Sequence, residues 1–539
     1  MSDLPPYPPI EPATFDLIII GTGLPESVIS AAASAVGKSV LHLDPNPFYG
    51  SHFASLTIPD ITSFLNSHST VSSDDHDLTT RPLYSEVEIS NSAPELLNKH
   101  SRKFYLDLLG PRALFCADLS VDLLLKSGAS QYVEFKSIDA SFVGDGDGKL
   151  WSVPDSRAAI FKDKSLGLME KNQLMRFFKL VQGHLSESEH EDNNMKISEE
   201  DLEIPFVEFL TAMKLPQKIK LMILYAIAMA DYDQENTEVS KDVLKTKDGI
   251  NRLALYNSSV GRFQNSLGAL IYPIYGQGEL PQAFCRRAAV KGCIYVLRMP
   301  VISLLKDEES GSYKGVKLAS GQDIFSNKLV LDPSFTVPGT LATPPSEQLP
   351  EYLLAYNPTD VNRKVARGIC ITKCSLKPNI SNIMVVYPPK SLFPEQVAAI
   401  RVLQLGSNLA VCPSGMFVLY FSALCADADQ GKKLLHATLN ALEKLLDSEN
   451  AESSSTIQGK DPEEVKPSIL WSALYVQDLV MGQYASISST IMPDGNLNYT
   501  DLLNATEKLF HKIYPNEEFF PETTSPDNSV DDAGLTLET

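Results

Sequence analysis

The chain's first clear hydrophobic pattern is Phe15–Gly21 (FDLIIIG), a short β-branched run closed by glycine. A parallel strand buried on both faces reads this way. Leu24–Val36 follows with helical character, and Ser39–Asp44 (SVLHLD) is a second strand ending on an acid. Together they predict a βαβ opening of about thirty residues, the mononucleotide-binding half of a doubly wound fold.

Between Pro154 and Arg262 the period becomes helical. Leu166–Gln182 and Pro205–Lys214 carry helical spacing, and Pro216–Ala230 (PQKIKLMILYAIAMA) is apolar on nearly every side after its first turn. Strand-like runs return at Cys293–Arg298, Lys328–Leu331, Ile383–Val386 and Met416–Ser422, with a helix at Lys432–Leu446. The polar stretches Ser67–Thr79, Gly183–Asp201 and Asn450–Lys466 read as loops. The pattern predicts an α/β protein: a discontinuous, Rossmann-derived, FAD-binding-like multi-sheet domain (1–153 and 263–522) with an inserted all-helical domain (154–262). A flexible acidic tail (523–539) closes it.

Composition narrows the function. With 539 residues, 67 acidic and 46 basic side chains, the net charge is -21, which repels phosphate backbones and argues against a nucleic-acid partner. The longest apolar run, Leu221–Ala230, is too short to cross a bilayer. The N-terminus (MSDLPPYPPIEP) has no signal-peptide core, and the seven cysteines form no Cys-x-x-Cys pair. Both features point to reduced thiols in the cytosol.

The chemistry-bearing motif is broken. Gly21-Thr-Gly23-Leu-Pro-Glu26 carries two glycines of a dinucleotide fingerprint, but Glu26 stands where a third glycine or alanine is needed. Glu26 is larger and brings negative charge toward a pyrophosphate; like charges about 4 Å apart repel by about 4 kcal/mol at an effective dielectric of 20. Asp44 could hold a ribose hydroxyl, or serve only as a strand-end turn residue. No cofactor is therefore expected. No nucleophile elbow, H-E-x-x-H or metal spacing is present, so neither a metal nor an enzymatic site is expected.

Two long segments carry a resemblance: GTGLPESVISAAASAVGKSVLHLDPNPFYG (21–50) and YPIYGQGELPQAFCRRAAVKGCIYVLR (272–298). They resemble the signatures of the family that joins Rab GDP-dissociation inhibitors and Rab escort proteins. The Pro-Glu-Ser after Gly-Thr-Gly-Leu and the glutamine in Gly276-Gln277-Gly278-Glu279 resemble the escort branch. So do YVEFKSIDASF (132–142), KPSILWSALY (466–475) and EKLFHKIYPNEEFFPE (507–522). The chain lacks the central insertion of animal escort proteins and looks like a compact, fungal-type member.

The resemblance implies a non-catalytic accessory subunit that binds GDP-bound Rab GTPases and presents them to the Rab geranylgeranyltransferase α/β heterodimer. It then carries the geranylgeranyl product, with transient membrane contact. It implies a Rab platform of Tyr49, Glu279, Arg286, Tyr295 and Val296, and a prenyltransferase contact at Tyr275 and Arg286. Residue types suit the platform: Arg offers a bidentate fork, Tyr rigid contact area. Glu279 and Arg286 also fit a solvated pair on one helix face. Methionine-rich helices suit a lipid site, with Met175, Phe178, Met222, Ile223 and Ile227 as candidates, though the same side chains suit an ordinary core. The alternatives are a GDP-dissociation inhibitor and, in another class, a flavin oxidoreductase.

Overall fold

The computed structural model describes residues 8–69, 78–154, 167–185, 196–236, 242–266, 268–337, 364–454, 468–480 and 487–521. Much of each expected polar loop, and the acidic tail, lie outside them.

A five-stranded parallel sheet forms from β1 (Leu17–Ile20), β2 (Val40–Asp44), β3 (Ile294–Leu297), β4 (Leu329–Leu331) and β5 (Ser488–Ser489), in the order β3-β2-β1-β4-β5. Ile18 pairs with Leu41 on one side and Leu329 on the other, so β1 is fully buried, as its unbroken apolar run dictates. Helix α1 (Leu24–Ala35) crosses from β1 to β2 and starts with Pro25 in its first turn, where a missing N–H costs nothing. Helix α2 (Glu279–Val290) packs along α1 and leads into β3.

A second sheet has eight strands, ordered Leu150–Ser152, Ala140–Gly144, Ile383–Tyr387, Ile400–Gly406, Phe417–Cys425, Lys364–Thr372, Ile469–Asp478 and Tyr84–Asn91. Helix Ala428–Ser454 covers one face, and the main core fills the other. Lys364–Thr372 contains Arg367, which is only 1% exposed. It is tolerated because its guanidinium donates to Gln477 Oε1 (2.6 Å), Leu109 O (2.8 Å) and Asp494 O (2.7 Å).

Between Leu150–Ser152 and the strand Leu270–Pro273 the described residues carry the helices Leu168–Leu185, Glu199–Glu203, Phe206–Ala212 and Gln217–Leu221, a π-helical turn at Met222–Ile227, and the helix Thr246–Ser259. These helices do not bury a separate core. Phe177, Phe206 and Ile223 belong to the same cluster as Leu17, Val28 and Phe135. Arg401 ties the two parts together through Asp231 (2.7 Å) and Met229 O (2.8 Å). Among the described residues, no helix is long and apolar enough to cross a membrane.

Candidate functional site

The glycine turn after β1 is closed by the protein's own side chains. Gly21 has φ +100°, and a Cβ there would lie 2.5 Å from that of Asp332, so only glycine fits. Gly23 caps α1, and a Cβ on it would lie 2.4 Å from Glu26 Oε2. Glu26 thus folds back over the turn; Thr490 Oγ1 donates to its other oxygen. Burial, then the nearby Asp332 carboxylate, holds the Glu26 carboxyl well above its usual range. Glu26 therefore fills the helix N-terminus as a buried acid whose charged form burial disfavours.

Asp44 is similarly consumed. Its carboxylate accepts from Thr22 N (2.9 Å), Thr22 Oγ1 (2.6 Å) and Asn46 N (2.7 Å), and burial pushes it up to about 6. His42 Nε2 donates to Gly21 O (2.5 Å), its ring kept neutral by burial, which lowers it to about 4. A flavin dinucleotide, which this fold type suggests, does not fit these residues. The place for its pyrophosphate holds Glu26, and the acid for its ribose is already satisfied.

The implied platform residues surround the α1–α2 seam. Tyr49 is half-buried beyond β2, its ring 6.0 Å from that of Tyr295 in edge-on contact. Glu279 opens α2 half-buried, its carboxyl raised by burial against the opposing pull of Arg286; Arg286 itself is exposed. Tyr295 turns its hydroxyl inward to donate to Ser30 Oγ (3.0 Å), with its ring 4.6 Å from His42. Val296, the next residue on β3, packs against the core on the opposite side of the sheet. Alternation along a strand requires this. Tyr49, Glu279, Arg286 and Tyr295 therefore share a region, and Val296 does not join it.

Tyr275 stands at the rim of this region, 49% exposed with φ +74°. A bulky residue in the left-handed region costs roughly 1–3 kcal/mol and persists only where neighbours enforce it. Here Asp107 does so. Its carboxylate accepts from Gln277 N (3.0 Å), Ser55 Oγ (2.6 Å) and the Tyr272 hydroxyl, while Gly278 N donates to Ser55 Oγ (2.8 Å). Gly276 sits at φ +109° with Ser55 Oγ only 2.4 Å from where a Cβ would lie. The buried Gln277 amide donates to Arg112 O (2.9 Å) and accepts from the Tyr499 hydroxyl (2.8 Å). The escort-like glutamine thus anchors the turn. Asp107 carried no sequence signal, because its partners are brought together only by the fold.

The lipid candidates divide. Met175 and Phe178 are half-buried on Leu168–Leu185. Met222, Ile223 and Ile227 are 2%, 1% and 3% exposed in the π-helical turn. Ile227 alone of the five lines a cavity of about 230 Å³, shared with Met229, Asp231, Arg252 and Arg401.

The chain matches the family model described as GDP dissociation inhibitor over residues 12–73 and 61–458. It is 59% identical to Rab escort protein 1 of Arabidopsis thaliana, with 100% of both chains covered. It is 28% identical to the Rab proteins geranylgeranyltransferase component A of Drosophila melanogaster, over 97% of this chain and 92% of that one. The compact length read as fungal-type is thus shared end to end with a plant protein. Among solved structures, a Rab GDI from Plasmodium falciparum superposes with TM-score 0.63 at 19% identity, covering 94% of this chain and 99% of that one; the fold is shared. The chain belongs to the GDP dissociation inhibitor family, on the side of its Rab escort proteins.

Proposed function

We propose that this chain is the accessory component of Rab geranylgeranyltransferase. It binds newly made, GDP-loaded Rab GTPases, presents their C-terminal cysteines to the transferase α/β heterodimer, and carries the lipidated product through the cytosol to membranes. The observation that carries this reading is the end-to-end match, at 59% identity, to a protein named for Rab escort. A guanosine nucleotide diphosphate dissociation inhibitor of Arabidopsis thaliana matches at 28% over 76% of this chain, which favours escort over recycling.

The geometry suits a docking scaffold. Tyr49, Glu279 and Arg286 form the client platform, with Tyr295 supporting Tyr49 from beneath. Two geranylgeranyl chains exposed to water would aggregate, since each buried CH₂ is worth about 0.8 kcal/mol. The helix Leu168–Leu185, which carries Met175 and Phe178, supplies the apolar surface. Tyr275 and Arg286 meet the transferase.

Titration of unprenylated, GDP-loaded Rab tests the platform. Tyr49→Ala and Glu279→Ala should each weaken binding by about thirtyfold, near 2 kcal/mol, with melting temperature close to the parent. Normal affinity in both folded variants would remove the platform assignment.

A further inference from the structure

A groove lies at the end of the five-stranded sheet away from the filled glycine turn. Asp16, Lys38 and Lys328 stand just before β1, β2 and β4, whereas Gly21, Asp44 and Tyr49 lie at the opposite ends of their strands. The groove measures about 660 Å³, and Lys38, Lys314, Phe325, Lys328, Tyr514 and Glu517 are on its walls. Three lysines thus converge in a chain of net charge -21. Two of their cations crowd one ring: Lys328 Nζ lies 3.7 Å from the Tyr514 centroid and Lys38 Nζ 5.5 Å. Burial, then the nearby Lys38 charge, lowers the Lys328 ammonium below its usual range.

Two carboxylates share the groove, and both are engaged. Asp16 accepts from Ser39 N and Ser39 Oγ (2.8 Å each), and Glu517 pairs with Lys38 (2.6 Å). Lys328 donates to Ile513 O (2.9 Å), at the end of the helix Thr500–Ile513. Three ammoniums against two carboxylates leave the groove positive. Tyr514 is 5% exposed, and its hydroxyl is buried without a hydrogen-bond partner among the described residues. Phe325 is 40% exposed. Positive charge, an unanswered hydroxyl and an open aromatic face together suit an acidic peptide segment with apolar side chains between its carboxylates.

The chain carries such a segment beside the groove. Glu517, on the groove wall, stands four positions before Pro521, where the described residues end. Residues 522–539 carry Glu522, Asp527, Asp531, Asp532 and Glu538, with no lysine, arginine or histidine, and Leu535 and Leu537 lie between the last acids. Ten extended residues reach up to about 33 Å, so Asp531 and its successors can return from Pro521 to the groove. We propose that segment 522–539 folds back into this groove, setting Asp531, Asp532 and Glu538 against Lys38, Lys314 and Lys328, with Leu535 and Leu537 toward Phe325. Tethering gives the segment an effective concentration on the order of millimolar, which favours it over a free acidic partner.

Carbodiimide coupling of the full chain, read by peptide mass spectrometry of the monomer, tests this. Links should join Asp531, Asp532 or Glu538 to Lys38, Lys314 or Lys328, and should fade at about 0.5 M salt as the charges are screened. A second measurement leaves the groove untouched: a full chain with Asp527→Asn, Asp531→Asn, Asp532→Asn and Glu538→Gln. Its Lys314 should acetylate about fivefold faster than in the parent, the scale of several exposed ion pairs lost together, with an unchanged melting temperature and parent rates at lysines on other faces. Segment carboxylates linked only to lysines elsewhere, such as Lys126 or Lys291, with Lys314 acetylation unchanged, would overturn the proposal. So would links confined to covalent dimers, which would give the groove to the segment of a second copy. Binding of phosphatidylserine vesicles that Lys314→Glu abolishes, with no segment links in the parent, would give it to lipid headgroups and equally overturn the proposal.

Discussion

Asp107 accepts three hydrogen bonds and is still pushed up to about 6, because burial outweighs them. From about pH 4 to 6 the folded carboxyl keeps its proton while the unfolded one has lost it. Stability therefore falls as pH rises through that window, by up to about 3 kcal/mol, and levels off above it. His42 and His52, both lowered to about 4 by burial, act oppositely. The unfolded chain binds their protons between about 4 and 6.5, so they make stability rise with pH. Denaturant unfolding of Asp107→Asn beside the parent isolates the carboxyl: the variant's relative stability should improve steadily from pH 4 to 6. Parallel curves would show that Asp107 does not titrate as described. Glu26 makes a second prediction at this scale. Incubated with excess flavin dinucleotide and passed over gel filtration, the protein should emerge without flavin absorbance. A stoichiometric flavin spectrum would refute the filled-turn account and revive the oxidoreductase reading.

The π-helical turn Met222–Ile227 sets what substitutions there can test. Met222→Asp would bury a carboxylate at a side chain only 2% exposed, so loss of lipid carriage could not be separated from loss of fold. Met222→Ala should itself destabilise by about 2–5 kcal/mol through the cavity it leaves; thermal and denaturant melts check this, and a parent-like melt would mean the turn opens readily. The half-buried Met175 and Phe178 are the better probes of lipid retention. The same elements show what the sequence made legible. The first βαβ unit was readable to within a residue or two at its ends, since each segment had an uninterrupted period and a glycine or acid stop. Lys364–Thr372 and Ile400–Gly406 were not, because strands buried on both faces lose alternation, and each hides an arginine satisfied only by distant partners. The family resemblance set Tyr295 and Val296 on one platform although strand period puts them on opposed faces, and the bracing of the Gly276–Gly278 turn by Asp107 depends wholly on tertiary structure.

At the scale of the molecule, the turn after the first strand is filled from within by the protein's own side chains. Glu26, Asp44 and Asp332 close the glycine turn, and α1 and α2 pack beside it. A net charge of -21 keeps copies of the chain apart in solution. Geranylgeranyl transfer from its diphosphate to unmodified, GDP-loaded Rab by purified transferase, followed as the chain's concentration is raised from zero, tests whether the chain enables prenylation as a stoichiometric partner. No transfer is expected without the chain, and the yield should rise one-for-one with it, product staying bound until membranes or detergent accept it. Transfer that proceeds equally well without the chain, or a chain that extracts prenylated Rab from membranes yet never supports transfer, would contradict it.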